Sequence, residues 1–544
     1  MTLKPFGTGW LAGLLLLLAA PGLWAAPVID SVQASATQVG RYEKLELTVG
    51  LTAAFTNAYD PDQVDLWGEF TAPVTNSPWH FWHPSAPPKV WRVNGFFDGA
   101  QWQIRFAPNQ TGRWSFVVQA RDAGGLARSA AGHFACVPST NHGWVRVAPN
   151  HRYLARDDGT SFYGVGACYP WGNTTAGLDR MQALGFNLYV YWNGTYDRDG
   201  GNNLIASLAS GVDHYDQGKC RRIDNLITDS EARGLGMILV IWPHDYLCEN
   251  LGGWPARWSQ NPYHTITTSG AFYGDTNAWA EQEKLYRYII ARWGYSPALA
   301  AWQTIDEISG TSGWRADQTA ANAWAGKIAE YFQTNDPFAH PTTASHGDFW
   351  DHGDRVNNLS NTEIYGNYSV TNIAGTAQKL WNNYEKPCLM GEMGLDRNAR
   401  LAHRKIWTGV ASGLAVTPLL WSFTQGWTTN VSAQYAAFNQ FIAGVDFARL
   451  TSLAQATVEV PGAQAYGITS DQLTFGWVTG NFAGQNLKVS GLPNGTCRLE
   501  WWDCQTGGVL ATSPATVTDG TLTAAIVPTT REDLAFKIIP IPVK

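Results

Sequence analysis

Basic clusters are missing from this chain of 544 residues: 37 Lys+Arg are scattered among 44 Asp+Glu, leaving a formal net charge of −7. That excludes a nucleic-acid partner, because binding a phosphate backbone depends on grouped Lys and Arg. Charge of either sign is scarce, at 15% against ~25% in an average soluble domain. The scarcity does not mean disorder, since 45% of the residues are hydrophobic. Cysteine is sparse too. Cys136, Cys168, Cys220, Cys248, Cys388, Cys497 and Cys504 are widely spaced and no CxxC occurs, which excludes a dense disulfide framework. Beyond the amino terminus no apolar stretch reaches membrane-spanning length. Internal repeats and low-complexity linkers are absent. So are the signatures of two common hydrolases. Asp245 and Glu249 follow His244, but without H-x-H or H-E-x-x-H no catalytic metal is expected. Ser345-His346-Gly347-Asp348 lacks the G-x-S-x-G elbow.

Aromatic residues are what the chain has in excess: 27 Trp, 21 Tyr and 22 Phe, 13% of the total. Part of that fills cores. The rest suits surfaces that stack on flat, weakly polar ligands such as sugar rings. At the amino terminus, Lys4, the apolar run Leu11 to Ala20, the break Pro21-Gly22 and the small residues Ala25-Ala26 form an export signal over residues 1–25. An exported protein, secreted or periplasmic, is expected. Export permits disulfides. Cys497 and Cys504 flank a strand-like run whose ends are ~20 Å apart, too far to bridge. Cys220 and Cys248 are the expected pair.

Three regions follow. Residues 26–140 alternate in short runs, such as Leu45 to Val49, Trp102 to Phe106 and Trp114 to Val118, between turn signals, as in a β-sandwich. From 141 to 454, apolar runs alternate with helical patterns. The runs are Phe162–Ala167, Phe186–Trp192, Met237–Trp242, Leu299–Ile305, Pro341–Ser345, Thr362–Tyr368, Pro387–Met390 and Val416–Trp421. Eight strands within this span match a (β/α)8 TIM barrel, typically ~250 residues. Residues 455–544 return to β patterning, a second sandwich. The fold class expected is therefore multidomain, a central barrel flanked by two β-sandwiches.

In such a barrel the chemistry sits where the strands end. The fourth run ends in Asp306-Glu307 and the seventh in Gly391-Glu392. Glu307 and Glu392 lie three βα units apart, so they can face each other across the mouth. A glycosidic bond is cleaved by one carboxylic acid and one carboxylate flanking the anomeric carbon. The third run ends in His244, the second in Trp192-Asn193, the sixth in Tyr368 and the eighth in Trp421.

These residues carry a resemblance. Trp302 to Glu307 resembles the W-x-x-x-N-E fourth-strand motif of clan A glycoside hydrolases, and Lys386 to Gly394 their K-P-x-x-x-G-E-x-G motif. Arg287-Tyr288-Ile289-Ile290-Ala291-Arg292-Trp293-Gly294-Tyr295-Ser296 is similar to a segment of family 5-like and mannanase-like bacterial members. The amino-terminal region resembles a DUF5060 module, the carboxyl-terminal one a small β-domain named for collagen binding. The resemblance implies a retaining mechanism without a cofactor, with Glu307 as acid/base and Glu392 as nucleophile. It also implies that Tyr368 bonds the nucleophile, that Trp421 is a stacking platform and that His244 contacts sugar hydroxyls. Asp306 would touch substrate where the motif has Asn. As an ionised acid it can only accept hydrogen bonds. Gly366 replaces a common His. Trp171, Trp192, Trp302 and Trp427 are further candidates for sugar contact, with core packing as the alternative reading. The carbohydrate partner expected is β-mannan or β-glucan. The alternatives are an exo-acting β-glycosidase on short or unusual glycans and a non-catalytic carbohydrate- or matrix-binding protein built on an inactive barrel.

Overall fold

Alternating apolar residues build the first region into two sheets. The computed structural model describes residues 1, 25–74, 89–171, 174–193, 204–250, 254–363, 370–394, 398–423 and 427–541. The expected export signal lies outside these apart from its ends, as do Gly366 and Tyr368. One sheet orders Val28–Ala34, Leu45–Thr52, Trp102–Phe106 and Phe96–Phe97; the other orders Gln38–Gly40, Gly132–Val137, Gly112–Asp122, Val64–Thr71 and Val90–Asn94. Leu45 pairs with Phe106 and Leu47 with Ile104, and all four side chains are fully buried. Between the sheets Phe70 stacks on Phe106 at 4.1 Å.

The central region begins with a small sheet, Val145–Val147, Leu154–Arg156 and Ser161–Phe162. Five parallel strands follow side by side: Gly166–Cys168, Leu188–Trp192, Gly236–Trp242, Leu299–Ile305 and Thr342–Thr343. Ser360–Glu363 and Cys388–Glu392 form a further parallel pair. Backbone bonds connect these sets. Leu359 N donates to Thr342 O at 3.0 Å, and Leu419 N donates to Met390 O at 3.0 Å. Thr417 N then reaches Gly164 O at 2.7 Å, so the eight runs are joined into a ring. The eighth run makes only single bridges, Gly164 to Val416 and Ala167 to Leu420. Pro418 within it has no N–H to give to a ladder. At the seam with the second strand, a Cβ on Gly166 would lie 1.8 Å from Leu188 O, so only glycine lets the backbones approach.

Strand alternation sorts the side chains. Val190, Trp192, Ile238, Val240 and Ala301 join an interior cluster with Val416 and Trp421. Tyr189, Tyr191, Leu239, Ile241 and Trp302 face outward, towards the helices. The helices start on polar caps. Asp275 caps Thr276–Trp293, Asp317 caps Gln318–Asn335 and Asn398 caps Ala399–Ala411, each accepting from backbone N–H groups of the first turn.

The last region pairs Ala454–Gln455, Ala463–Thr469, Thr474–Gly480, Asp533–Pro540, Gly495–Trp502 and Val509–Val517 in one sheet. Thr457–Glu459, Asn486–Ser490 and Thr521–Ala525 form the other, and Leu487, Val489, Leu522, Leu499 and Phe536 fill the space between. No helix of the described residues is long and apolar enough to cross a membrane.

The expected Cys220–Cys248 disulfide is not formed, and all seven cysteines are buried free thiols. Cys220 is enclosed in the first turns of the helix Gln217–Glu231, close to Arg292 and Tyr288. Cys248 turns instead to Asn250, whose carbonyl oxygen lies 2.8 Å from its sulfur. The two thiols have different neighbours.

Candidate active site

The fourth strand runs through Leu299–Ile305 and then delivers two acids in different ways. Asp306 keeps contact with the ladder, its N–H bonding Trp242 O at 3.1 Å, and its side chain is 2% exposed. Glu307 turns away, with φ 43° and ψ 55° in the left-handed region, and its side chain is 17% exposed. A non-glycine residue held there is a local strain that the surroundings must impose. Ser345, after the fifth strand, does so: Glu307 N donates to Ser345 Oγ at 2.9 Å and Ile308 N to Ser345 O at 3.1 Å.

His244, following Trp242-Pro243, reaches both acids. Nδ1 is 3.1 Å from Asp306 Oδ2 and Nε2 is 3.4 Å from Glu307 Oε2. Burial disfavours charge on the ring. The charge of Glu307, the hydrogen bond to Asp306 and the charges of Asp306 and Asp245 outweigh it, raising His244 to about 9. A protonated imidazole donates from both nitrogens, so it ties the acids together. Asp245, fully buried, is pushed up to about 6, first by burial; His244 and Arg257 work against the rise.

Glu392 closes the seventh strand and is buried. Beside it stands an acid not singled out from the sequence. Glu363 ends the sixth strand, pairs in register with Glu392, and is 1% exposed. One oxygen each from Asp306, Glu363 and Glu392 lie within 4.8 Å of one another. The same limit holds for one ligand-type atom each of His244, Asp306 and Glu307. Asp306 thus belongs to both groups. Glu363 was hidden because its strand, Ser360-Asn361-Thr362-Glu363, is wholly polar yet buried.

Four tryptophans form a cluster that meets His244. Ring centroids of Trp421 lie 5.1 Å from Trp192, 5.3 Å from Trp171 and 6.3 Å from Trp254, and Trp192 is 5.7 Å from His244. Trp421 and Trp192 are enclosed, whereas Trp171 and Trp254 keep part of their surface open. Trp254 lies in the long connection after the third strand, where no periodicity announces it.

Two candidates fall elsewhere. Trp302 alternates out of the barrel, is fully buried, donates to Asp336 Oδ2 at 2.9 Å and packs on Phe332. It is a core residue. Trp427 packs against Phe423 and Tyr435 and donates to Ser432 Oγ at 3.0 Å, supporting the helix Thr429–Ile442.

Comparison with known proteins fits this arrangement. Residues 38–121 match a domain of unknown function, DUF5060. No curated protein matches the sequence. Over 93% of its length the chain is similar in fold to the whole of a candidate glycoside hydrolase from Bacteroides vulgatus, at 16% identity and a TM-score of 0.65. Over 73% it is similar to 94% of a glycoside hydrolase family 5 protein from the same organism, at 11% identity and a TM-score of 0.51. The chain thus carries a DUF5060 domain at its amino end and has the fold of these two proteins.

Proposed function

We propose that the protein is an exported retaining β-glycoside hydrolase, with a (β/α)8 barrel that acts on a β-linked polysaccharide, β-mannan or β-glucan. The observation that supports the reading is that Glu307 and Glu392, at the ends of the fourth and seventh strands, each belong to a close group of side chains that includes buried Asp306, and that a tryptophan cluster meets His244 of one group. Such strand ends are where this kind of barrel does its chemistry. Trp171 and Trp254 offer the open ring surface on which a sugar stacks.

Glu392 attacks the anomeric carbon while Glu307 gives its proton to the leaving oxygen. The glycosidic C–O bond breaks and a glycosyl ester on Glu392 forms. Glu307, now a carboxylate, takes a proton from water, and the hydroxide oxygen displaces Glu392. Two inversions leave the configuration unchanged. His244 supports the first step because its cation faces Glu307 as that group becomes negative. Asp306 anchors His244 from the other side.

The test is a panel of β-linked polysaccharides and aryl β-glycosides given to the mature protein, with Glu392→Ala and Glu307→Ala alongside. Glu392→Ala abolishes turnover. Glu307→Ala slows substrates with poor leaving groups far more than activated aryl glycosides, which need little protonation. Full activity in Glu392→Ala, or hydrolysis of no member of the panel by the unaltered protein, would end the proposal.

A further inference from the structure

Three carboxylates packed together in a water-poor space cannot all hold charge without a counter-ion, and protons are shared among them. Asp306, Glu363 and Glu392 form such a set, each almost fully buried. The members differ in what surrounds them. Asp306 faces His244 at 3.1 Å and accepts from Gln303 Nε2 at 3.4 Å. Glu392 is the more exposed of the two glutamates, 7% against 1%. Glu363 is the one with least support: its Oε2 is buried and has no hydrogen-bond partner.

From this geometry we infer that Glu363 is a positioning residue that stays protonated while the enzyme works, supplying a donor beside Glu392 and Asp306 in place of a third negative charge. The inference rests on the functional reading above. The groups facing Glu363 are Asp306 and Glu307 from the fourth strand, Glu392 from the seventh, Cys168 from the first and the Ser345 hydroxyl from the fifth, with His244 one residue further, against Asp306. Burial pushes the carboxyl of Glu363 well above the usual range, and Asp306, Glu307 and Glu392 push it the same way; only Ser345 opposes them. A bound cation is the rival explanation for three clustered acids. It would require all three to be ionised, so the protonation state separates the two.

Infrared difference spectra of the unaltered protein against Glu363→Gln provide the test. At about pH 8 the spectra are taken above Asp354, pushed up to about 7, and Asp245, at about 6, so those acids are ionised. The unaltered protein shows the carbonyl band of a protonated carboxylic acid, and the variant lacks it. Glu363→Gln, which keeps a donor of similar shape, retains kcat. Glu363→Ala loses about 10- to 100-fold in kcat with KM kept, the worth of a hydrogen bond to a charged group. Absence of the band from the unaltered protein overturns the inference even if the variants fail to fold. So does loss of activity on chelation, restored by a divalent cation. The band does not depend on turnover, so it stands or falls separately from the test of Glu392→Ala.

Discussion

His244 decides how the strand ends respond to pH. Free imidazole titrates near 6.5; here the ring holds its proton to about 9 despite burial, because Glu307, Asp306 and Asp245 surround it. Folding therefore stabilises the bound proton. The stabilisation is complete below pH ~6.5 and is lost as pH rises through about 9, an effect of up to about 3 kcal/mol. Asp245 runs in a different window. Its pKa is raised, mainly by burial, to about 6, so ionising it costs stability between pH ~4 and 6. Denaturant unfolding at several pH values should show stability falling from pH ~6.5 to ~9, and His244→Gln should flatten that slope while pushing Asp245 further up, since the His244 charge opposes its rise. A variant with the same alkaline slope would assign the effect to another group. The residues of this cluster were unequally legible. Glu307, Glu392 and His244 end apolar runs, and strand ends are where barrels place chemistry. Glu363 gave no such signal inside a polar strand, and Trp254 none inside a loop. Trp302 misled because a one-residue step along a strand exchanges the interior for the helix side.

At the scale of elements, the helix Thr276–Trp293 and the turn after it act as a joint. The segment Arg287 to Ser296 was noticed as a motif, yet its residues do not reach the strand ends. Arg287 pairs with Asp65 of the amino-terminal sandwich, Tyr288 donates to Phe97 O at 3.0 Å, and Tyr295 O accepts from Trp144 Nε1 at 3.1 Å. Arg292 binds Asp224 at 2.6 Å on the neighbouring helix, and Arg105 of the sandwich reaches the same acid at 2.7 Å. Burial raises the pKa of Asp224, but the bonds and charges of Arg292 and Arg105 prevail and hold it down to about 2. A lowered acid contributes stability above its unfolded value, near 3.8, and loses it as pH falls through about 2. Asp224→Asn leaves the enclosed Arg292 without its anion and Arg105 with Glu46 alone, at 2.8 Å, a defect worth about 3–5 kcal/mol. Denaturant midpoints at neutral pH measure it, and the variant should lose less stability than the unaltered protein on acidification. A neutral-pH cost below about 1 kcal/mol, the range of surface pairs, would make the joint a solvated contact. The fourth strand, Leu299–Ile305, was readable residue by residue because it is apolar on both faces, as a strand covered on both sides must be. The eighth was readable as a place but not as a ladder, since Pro418 interrupts it.

Over the whole molecule, the carboxyl-terminal sandwich packs on helices of the central region. Phe441 and Phe447, each 2% exposed, pack on Trp502 at 5.5 Å and Phe475 at 5.8 Å. His403 of the helix Ala399–Ala411 meets Asp533 at 2.5 Å, and Trp477 donates to the same carboxylate at 3.0 Å. Around this pair the joint is open, a cleft of about 840 Å³ lined by Arg400, Arg404, Gln505 and Arg531 among others. None of the strand-end acids lines it. Contact between the two regions is thus a mixture of apolar packing and a few enclosed polar bonds. Deleting residues 455–544 uncovers both phenylalanines, each worth about 1.5–3 kcal/mol when fully buried, and leaves His403 without its anion. The truncated protein should unfold at lower temperature and bind more of a dye that reports exposed apolar surface. Its turnover per folded molecule on a small soluble β-glycoside should be unchanged, because every acid and tryptophan assigned to the reaction lies between Trp171 and Trp421. A truncated protein that circular dichroism shows to be folded, yet that does not turn over, would place part of the working site in the sandwich.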